Sequence, residues 1–361
     1  MKILQLNTEK TWRGGEKQTY YTILGLLQKR IKVGILCRKN SPLFYKAKEL
    51  QTKFPELEIY TSSGYLRDAY HLLKIARDYD ILHAQTAKTH TVAVITKPLH
   101  GKKIIYTRRS HFPPKNFLTK LKYKMTDKVV AISYSVKSIL NSAGIKCDEV
   151  IYSCIFPHPL NHKNIKNLEI KLGMKLNPKS KKIVGTFSAL VPHKDPVTLV
   201  KAIKELKKLR NDFIFLHFGG GFLEKKVKKL IKTWKLEDVY YLLGFEEEVE
   251  DYLLILDVYV LTSSGEALGS SILDAFYYKV PVVASDTGGI KEVVEGRGLL
   301  CPVGDYRCFA SAINQILEDK KLRKKLVEKA YKFVIKECLL DFHTEKYLKI
   351  YEEVFFKKCK M

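Results

Sequence analysis

Residues 263–289, SSGEALGSSILDAFYYKVPVVASDTGG, contain the pattern that decides the fold. The β-branched and aromatic run at 258–262 before them predicts a buried strand. Within the stretch, the apolar residues of 272–276 follow the spacing of one helical face, and 282–284 predicts a second strand. A Gly-Gly pair then lets the backbone turn. This is the pattern of a βαβ unit, and ligands of open α/β sheets bind at the carboxyl ends of the strands.

Two acidic residues stand in this unit, Glu266 in the loop before the predicted helix and Asp274 eight positions further on. A carboxylate at a helix N-terminus is often only a favourable partner of the helix dipole. The spacing alone therefore leaves a structural and a functional interpretation of Glu266 equally open.

The same alternation of strand and helix runs through most of the chain. In the first half, strands are predicted at 2–6, 31–37, 57–60, 80–83, 102–107, 128–133 and 149–153. Residues 156–180 are rich in Pro, Asn and Lys and predict a linker. Further strands are predicted near 182–188, 213–218, 239–243, 257–262, 281–284 and 298–301, and 306–358 predicts three helices. Short connections between alternating elements indicate two parallel, doubly wound sheets.

The composition suits two globular domains. The 361 residues are 46% hydrophobic and 11% aromatic, which is enough for two substantial cores. No apolar run reaches the roughly 18–20 residues that span a bilayer, and the apolar N-terminus is too short for a secretory signal. The seven cysteines are scattered without a C-x-x-C pair, which argues against zinc and against a disulfide framework. We therefore expect a protein of the reducing cytosol.

The net charge of +26 is concentrated in the first half of the chain. Residues 1–165 hold 29 Lys and Arg against 11 Asp and Glu, whereas 166–361 hold 35 against 27. Such a field favours an anionic partner, for example an acidic membrane surface, a phosphorylated glycolipid or a nucleic acid. A generally basic or Lys-rich proteome is the alternative explanation.

Other glycine and lysine motifs also follow predicted strands. Gly14-Gly15 opens the first helix without forming the G-x-G-x-x-G dinucleotide fingerprint, and most such pairs are only turns. Lys194 follows the strand at 182–188 and is either a phosphate-binding cation or a solvated lysine; its place between strand and helix favours the first. Glycines also end two strands, in the motifs FGGG at 218–221 and LGF at 243–245.

Together, these motifs and the 263–289 stretch resemble glycosyltransferase family 4, a retaining family with the GT-B fold. The resemblance implies two Rossmann-like, doubly wound α/β domains facing a central cleft. It gives an acceptor-side domain at 1–165, a linker at 166–180 and a nucleotide-sugar domain at 181–340. A terminal helix at 341–361 would pack back on the first domain.

The resemblance also implies roles for individual residues. Glu266 would contact the transferring sugar, Asp274 the ribose and Lys194 the donor diphosphate. His111 and Arg109 are rival matches to a catalytic position on the first domain that contacts the donor sugar. The remaining donor-binding candidates are Gly14, Gly15, Gly219, Gly244, Phe245, Gly269, Ser270 and Ser271.

Two residues depart from the family pattern. Asp274 stands where the family has a glutamate, and Ala189 stands where it has an arginine that neutralises the diphosphate. Fixed cations lower the barrier for loss of a charged leaving group, so Lys194 would carry more of this task here.

A basic amphipathic helix is predicted at 115–125. One face holds Phe117, Leu118, Leu121 and Met125, and five lysines border it: Lys115, Lys120, Lys122, Lys124 and Lys128. Of these, Lys120, Lys122 and Lys124 are the predicted membrane contacts. Such a helix can lie in an anionic membrane surface, or its apolar stripe can pack on the sheet like that of an ordinary helix. Its place beside the expected acceptor side slightly favours membrane contact.

We therefore predict a cytoplasmic enzyme, peripheral on the inner membrane, that transfers a sugar with retention from a nucleotide sugar to an envelope glycolipid or saccharide of the lipopolysaccharide-core type. No metal or other cofactor is expected, because the family needs none and no D-x-D pair stands out. A GT-B epimerase acting on a sugar nucleotide is the first alternative. A basic nucleic-acid-binding protein is a weaker one, because RNP, finger and helix-turn-helix signatures are missing from the sequence.

Overall fold

The computed structural model describes residues 1–114, 116–157, 161–176 and 181–356, without the side chains of residues 65 and 66. The chain divides into two compact units. Unit 1 comprises Met1–Phe156 and Glu337–Met361, and unit 2 comprises Pro157–Lys336. The start of the predicted amphipathic helix, residue 115, and the predicted linker residues 177–180 lie outside the described part.

Unit 1 is built on a seven-stranded parallel sheet in the order β3-β2-β1-β4-β5-β6-β7. Its strands are β1 (Lys2–Asn7), β2 (Lys32–Arg38), β3 (Glu58–Ser62), β4 (Ile81–Ala84), β5 (Lys103–Arg108), β6 (Lys128–Ala131) and β7 (Glu149–Val150). Its helices are α1 (Gly14–Gln28), α2 (Pro42–Lys53), α3 (Tyr65–Ile75), α4 (Ala87–His100), α5 (Phe117–Lys124), α6 (Tyr134–Ser142) and the terminal α15 (Leu340–Phe356).

Both faces of this sheet are buried, as an all-parallel sheet requires. Successive strand residues point to opposite faces, so Ile3 and Leu4 enter different cores. Ile3 packs with side chains of α1, α2 and α15, and Leu4 packs with side chains of α3 and α4. The sheet thereby holds the carboxyl ends of β1, β4 and β5 in fixed positions.

The terminal helix α15 packs on α1 of the same unit. A Cβ on Gly25 would lie 2.0 Å from Thr344 Oγ1, so the missing side chain of this glycine allows the close approach of the two helices. Thr22 Oγ1 and His343 Nε2 are hydrogen-bonded at 3.3 Å across the same contact. Tyr347 and Tyr351 of α15 are fully buried in the unit 1 core.

Unit 2 is built on a six-stranded parallel sheet in the order β10-β9-β8-β11-β12-β13. Its strands are β8 (Lys182–Phe187), β9 (Phe213–Phe218), β10 (Tyr240–Gly244), β11 (Val258–Leu261), β12 (Val282–Ser285) and β13 (Leu299–Cys301). Its helices are α7 (His162–Leu172), α8 (Pro196–Leu209), α9 (Glu224–Thr233), α10 (Glu250–Leu253), α11 (Ser270–Tyr277), α12 (Gly288–Val294), α13 (Tyr306–Glu318) and α14 (Lys320–Glu337). The predicted α/β class and the doubly wound strand–helix alternation are confirmed.

The segment interpreted as a linker contains helix α7, and 166–172 of the predicted linker belong to it. Leu168 is buried, and Asn161 N and Asn164 Nδ2 donate to the carboxylate of Asp251 at 2.8 and 2.6 Å. The short helical pattern of apolar residues in α7 was missed because Pro, Asn and Lys residues flank it.

The cysteine pattern argued against a disulfide framework, but the structure contains a disulfide. Cys301, at the end of β13, is bonded to Cys308 in the first turns of α13, with 5.7 Å between their Cα atoms. A tight turn at Gly304, which has φ +82°, brings the two residues together. Among the described residues, four other cysteines are buried: Cys37, Cys147, Cys154 and Cys338.

Within the described ranges, no helix combines the length and the apolar character needed to cross a bilayer.

Candidate functional site

Each sheet has one point at which the strand order reverses, between β1 and β4 in unit 1 and between β8 and β11 in unit 2. The loops that leave two such strands run in opposite directions, which opens a crevice at their carboxyl ends. The predicted residues Gly14 and Gly15 follow β1, Lys194 follows β8, and Glu266 follows β11. The topology therefore places the sequence candidates at both reversal points.

Lys194 and Glu266 form an ion pair at the reversal point of unit 2, although 72 residues separate them. The Lys194 ammonium donates to Glu266 Oε1, and Ser263 Oγ donates to the same oxygen at 3.1 Å. Their side chains are 21% and 15% exposed, so the pair is mostly screened from water but open on one side. A cation and a carboxylate are thus held together where a ligand of this sheet would bind.

Hydrogen bonds join the two loops that carry this pair. Thr262 Oγ1 donates to the carbonyls of Lys194 and Asp195, at 3.2 and 3.0 Å. Ser264 N donates to the carbonyl of His193 at 2.8 Å. Lys194 ends a short 3-10 turn, and the next residue, Asp195, caps α8 by accepting from Thr198 N. The position of the lysine is therefore fixed by backbone contacts on both sides.

Gly289 fixes the Glu266 loop from the other side. Its N–H donates to the carbonyl of Glu266 at 3.0 Å. A Cβ at this position would lie 2.1 Å from the carbonyl oxygen of Ala267, so only glycine lets α12 approach the loop this closely. The second glycine of the Gly-Gly pair is thus required by packing.

Helix α11 also begins at the carboxyl ends of the strands of unit 2. Its N-cap residue Gly269 has φ +80°, a left-handed conformation that favours glycine. Ser271 Oγ accepts a hydrogen bond from the buried Tyr259 hydroxyl at 2.8 Å, and burial raises the pKa of Tyr259 to about 12. Ser270 and Asp274 are one turn apart on the helix, and the charge of Asp274 also acts on Tyr259. Tyr259 therefore anchors the helix face that bears the predicted ribose contact.

The glycines at the ends of β9 and β10 pack against each other and against the β8 loop. Gly219 N donates to the Gly244 carbonyl at 2.6 Å. A Cβ on Gly219, which has φ +145°, would lie 2.0 Å from the Ser188 carbonyl oxygen. Phe245 next to them is 66% exposed. Packing explains Gly219, and the left-handed φ of +82° explains Gly244, whereas the exposed ring of Phe245 is available to a ligand.

A buried histidine that the sequence did not indicate supports the β8 loop. His217 Nε2 donates to the Ser188 carbonyl at 2.9 Å, and its Nδ1 accepts from the Tyr240 hydroxyl at 2.8 Å. Burial lowers the pKa of His217 to about 4, so the ring is neutral near pH 7. Its only sequence signal is a polar residue inside an apolar strand.

In unit 1, Arg109 lies beside Gly15. The Arg109 Cδ would be 3.8 Å from a Cβ on Gly15, and Arg109 Nη2 donates to Gln85 Oε1 at 3.0 Å. Gln85 is held in turn by Gln5, whose amide donates to the Tyr351 hydroxyl at 3.1 Å. A chain of hydrogen bonds thus links Arg109 to the terminal helix α15.

The Nε atom of the Arg109 guanidinium is buried without a hydrogen-bond acceptor among the described residues. Burial lowers its pKa, a trend that the nearby Glu16 carboxylate opposes. Glu16 is itself buried, which raises its pKa, and it accepts a hydrogen bond from Arg13 N at 2.9 Å. Among the described residues, Arg109 Nε has no hydrogen-bond partner. A buried, unpaired donor beside Gly15 is suited to a polar ligand group.

The two histidine candidates of unit 1 differ. His111 lies two residues beyond Arg109 and its ring contacts Phe112 at a centroid distance of 4.0 Å. His83, at the end of β4, is fully buried and hydrogen-bonded to Tyr351 and Thr107. Burial lowers its pKa well below the usual value, which fits a neutral structural ring.

Helix α5 exposes its apolar stripe. Phe117 and Leu118 are 77% and 73% exposed, whereas Tyr123 is the residue that the helix buries. Lys120 and Lys124 are exposed, but Lys122 is half-buried and donates to Thr91 Oγ1 of α4 at 2.9 Å. Three residues of the stripe are therefore exposed, whereas Met125 packs against the unit 1 core. Lys122 differs from the other two lysines because it joins α5 to α4.

Family models match both units of the chain. The model described as "Glycosyltransferase Family 4" matches residues 12–155, and the model described as "Glycosyl transferases group 1" matches residues 171–333. The chain belongs to the family 4, group 1 glycosyltransferases. The sequence prediction of a glycosyltransferase is thereby confirmed.

Curated relatives carry the same activity in their names. The N-acetyl-alpha-D-glucosaminyl L-malate synthase of Bacillus anthracis is 26% identical over 292 residues, which cover 77% of this chain and 74% of that protein. The UDP-Gal:alpha-D-GlcNAc-diphosphoundecaprenol alpha-1,3-galactosyltransferase of Escherichia coli is 25% identical over 82% of this chain and 83% of its own. The lipopolysaccharide core biosynthesis glycosyltransferase LpsE of Rhizobium meliloti is 27% identical over 48% of this chain and 50% of its own.

Solved structures share the fold of this glycosyltransferase over nearly its whole length. A glycosyltransferase from Rickettsia africae has a TM-score of 0.83 at 23% identity, with 98% of each chain covered. Anabaena HepE, in complex with UDP and glucose, has a TM-score of 0.82 at 21% identity, with 98% of this chain and 99% of that chain covered. The predicted GT-B fold, with two Rossmann-like units, is confirmed.

Proposed function

We propose that this glycosyltransferase moves a sugar from a nucleotide-sugar donor to a glycolipid or saccharide of the cell envelope, with retention of the anomeric configuration. The Lys194–Glu266 pair at the reversal point of unit 2 carries the proposal. It supplies one cation for a diphosphate and one carboxylate for sugar hydroxyls in the same place. The UDP and glucose named for Anabaena HepE support a donor of this chemical class.

The two side chains exchange partners when the donor binds. The Lys194 ammonium leaves the carboxylate for the donor diphosphate, where it stabilises the charge that develops on the leaving group. Glu266 is then free to accept hydrogen bonds from the sugar. Asp274 contacts the ribose from α11, helped by the amide groups at Ser270 and Ser271.

The base and the sugar have further proposed contacts. Backbone groups at Gly219 and Gly244, together with the exposed Phe245 ring, hold the nucleobase. In unit 1, Gly14 and Gly15 admit the substrate close to the backbone. Arg109 donates to it through the unpaired Nε, and His111 is the alternative for this catalytic contact.

Retention follows from attack on the face that the leaving group occupies. The acceptor hydroxyl forms the new glycosidic bond as the bond to the donor phosphate breaks, and the leaving phosphate takes the hydroxyl proton. Lys194 stabilises the departing diphosphate, and Glu266 orients the sugar. The anomeric proton coupling in the product, measured by NMR and compared with that of the donor, tests this; an inverted product excludes the scheme.

The transfer is proposed to need no metal ion, because Lys194 supplies the positive charge at the diphosphate. Activity should be unchanged after treatment with EDTA and after addition of Mg²⁺ or Mn²⁺. A loss on chelation that the metal restores would contradict this part of the proposal.

Donor use is tested with a panel of nucleotide sugars in thermal-shift and transfer assays. Lys194→Met should lower kcat/KM by roughly 10²–10³-fold, the range for removal of one group that stabilises transition-state charge. Glu266→Gln should abolish most transfer at an unchanged melting temperature. Lys208→Met and Glu205→Gln, which break a comparable ion pair on the surface of α8, serve as matched controls.

The outcome also separates the alternatives. Unchanged transfer in the Lys194 and Glu266 variants would place the donor elsewhere. Conversion of a sugar nucleotide to its epimer without any acceptor would favour an epimerase-like reaction on the same fold.

The acceptor side is proposed to lie against an anionic membrane. Phe117, Leu118 and Leu121 of α5 are exposed, and so are Ile95 and Leu99 of the neighbouring α4. Lys120 and Lys124 stand beside this patch. Exposed apolar residues bordered by cations suit the headgroup region of anionic lipids. The diphosphoundecaprenol and lipopolysaccharide named for two relatives support such an acceptor.

Flotation with vesicles that contain anionic lipid tests the membrane contact. Lys120→Glu/Lys124→Glu should abolish flotation, whereas Lys225→Glu/Lys229→Glu on α9 makes the same charge change away from the patch. Lys122→Ala is expected to affect the stability of α5 more than flotation, because its ammonium bonds Thr91. Equal flotation of the two double variants would reject the α4–α5 patch.

A further inference from the structure

A cavity of unit 2 lies at the amino ends of the strands, opposite to the carboxyl ends that carry Lys194 and Glu266. It has a volume of 520 Å³. Asp257 and Pro281, which line it, directly precede β11 and β12, so the cavity opens at the amino ends of these parallel strands. Helix α14 forms its other wall. The volume falls within the range of small-molecule sites, about 300–1,000 Å³.

The lining of this cavity is strongly basic. Lys320, Arg323 and Lys324 follow the i, i+3, i+4 spacing of one face of α14, and Lys279 reaches the cavity from the end of α11. The Lys279 ammonium lies 4.7 Å from the centre of the Tyr331 ring on α14, which keeps it near the other cations. Four positive side chains thus surround one small space.

The only carboxylate in this lining is already engaged. Asp257 lies 3.7 Å from Arg323 and 3.6 Å from Lys182, and it accepts a hydrogen bond from Ile183 N at 3.0 Å. It therefore neutralises at most one of the cations of the cavity, and Lys324 has an exposed partner outside the lining, Glu328, at 4.0 Å. Like charges that share a small space repel each other unless an anion lies among them.

The position of one of these cations on α14 is also unfavourable for the helix itself. Lys320 is the first residue of the helix, where the helix dipole disfavours a positive side chain. The preceding Asp319 caps the helix by accepting from Leu322 N at 2.9 Å, but it does not line the cavity. An anion bound beside Lys320 would offset this cost.

We propose that this cavity is a binding site for a phosphate group that carries two or more negative charges, presented by a small phosphate ester or by a lipid headgroup. Lysine ammonium groups and a guanidinium fork are the side chains that bind phosphate oxygens best. The site is separate from the donor diphosphate site, because the two lie at opposite ends of the same parallel strands. The inference does not depend on the proposed transfer reaction.

Calorimetric titration of the full chain with inorganic pyrophosphate tests the proposal. The wild-type protein should show a saturable event that persists in Lys194→Ala, which removes the donor-site cation. Lys320→Ala/Lys324→Ala should weaken this event at least 10-fold. Both lysines are exposed and Ala favours helix, so this variant should keep its fold, which the urea midpoint verifies.

The matched control is Lys321→Ala/Lys325→Ala. It removes the same charge from the same helix, but neither residue lines the cavity, so affinity should change less than twofold. Equal weakening in both double variants would mean that general surface charge binds pyrophosphate, which would overturn the proposal. The proposal would also fail if the wild-type protein bound neither pyrophosphate saturably nor vesicles.

A second arm identifies the source of the phosphate. Vesicles that contain phosphatidic acid should bind the wild type and the Lys321/Lys325 control better than the cavity variant if a lipid headgroup is the ligand. If pyrophosphate binding depends on Lys320 and Lys324 while vesicle binding does not, the ligand is a soluble phosphate ester. Either result supports the site, and independence of both probes from these two lysines refutes it.

Discussion

The substitution Gly289→Ala examines how the Glu266 loop is held. The new Cβ would lie 2.1 Å from the Ala267 carbonyl oxygen, 2.6 Å from its carbonyl carbon and 2.7 Å from Leu268 Cα. All three atoms belong to the backbone, so no side-chain rotation can relieve the contact. Because ordinary contact begins at 3.4 Å, either α12 or the 266–268 loop has to move by more than 1 Å.

The cost follows from three contributions. Overpacking of this kind costs about 1–3 kcal/mol. Loss of the Gly289 N–H bond to the Glu266 carbonyl adds about 0.5–1.5 kcal/mol. The better helix propensity of alanine returns about 1 kcal/mol. We expect a net loss of about 0.5–3.5 kcal/mol in the free energy of unfolding of unit 2.

The assay uses the two tryptophans of the chain, Trp12 in unit 1 and Trp234 in unit 2. In a Trp12→Phe background, the fluorescence of Trp234 reports urea unfolding of unit 2 alone. With a slope of about 1–3 kcal/mol per M urea, the midpoint should fall by about 1 M. Gly220→Ala is the control, because a Cβ there meets nothing within 4 Å and should leave the midpoint unchanged.

Activity adds a second measurement for the same variant. A displacement of about 1 Å at a reacting group can cost about 100-fold in rate, so Gly289→Ala should lose donor turnover even below its unfolding temperature. Wild-type stability and turnover in this variant, or equal losses in Gly220→Ala, would refute the view that α12 positions Glu266 through its glycine.

Three further substitutions test other parts of the structure. Gly15→Ala places a methyl group 3.8 Å from Arg109, so the free energy of unfolding should stay the same or rise by about 1 kcal/mol. Transfer should fall if the substrate approaches this backbone, and wild-type turnover would exclude such an approach. Ala189→Arg restores a cation that the family has, and in a Lys194→Ala background it should recover at least tenfold in kcat/KM; no recovery would show that residue 189 does not reach the diphosphate. Burial holds the pKa of His217 at about 4 against about 6.5 in an unfolded chain, so unfolded protein binds the extra proton between these values and stability is lost as the pH falls from 6.5 to 4. The urea midpoint reported by Trp234 should fall over this pH range, and the fall should be smaller in His217→Gln.

The alternation of strands and helices could be predicted because each element depends on the pattern of apolar residues within its own short segment. Strands of an all-parallel sheet are continuous apolar runs, and the helices between them show a 3.6-residue period. Lys194 and Glu266 lie in the loops that follow β8 and β11, so the alternation predicts that both belong to the carboxyl ends of strands; that these two strands are neighbours is seen only in the structure. A family resemblance added the roles, which no spacing could supply.

Contacts between distant residues left no such pattern. His217 supports Ser188 from the next strand, and Cys301 reaches Cys308 only because of a turn at Gly304. The α5 lysines look equivalent in sequence, yet Lys122 is set apart by one hydrogen bond to another helix. These features depend on which side chain meets which in three dimensions, and composition or periodicity does not encode that.

In the proposed donor complex, the Lys194–Glu266 pair gives a physical reason why one cation could serve where the resemblance implies two. A free lysine side chain loses up to about 2 kcal/mol of conformational entropy when a ligand orders it. Here the carboxylate and the loop contacts at Thr262 have already ordered it, so most of that cost falls on folding and not on donor binding. The donor then competes with Glu266 for the ammonium, and the released carboxylate gains the sugar hydroxyls as partners. Such an exchange favours a ligand that offers a diphosphate and a sugar together, because a nucleotide without the sugar leaves Glu266 without a new partner.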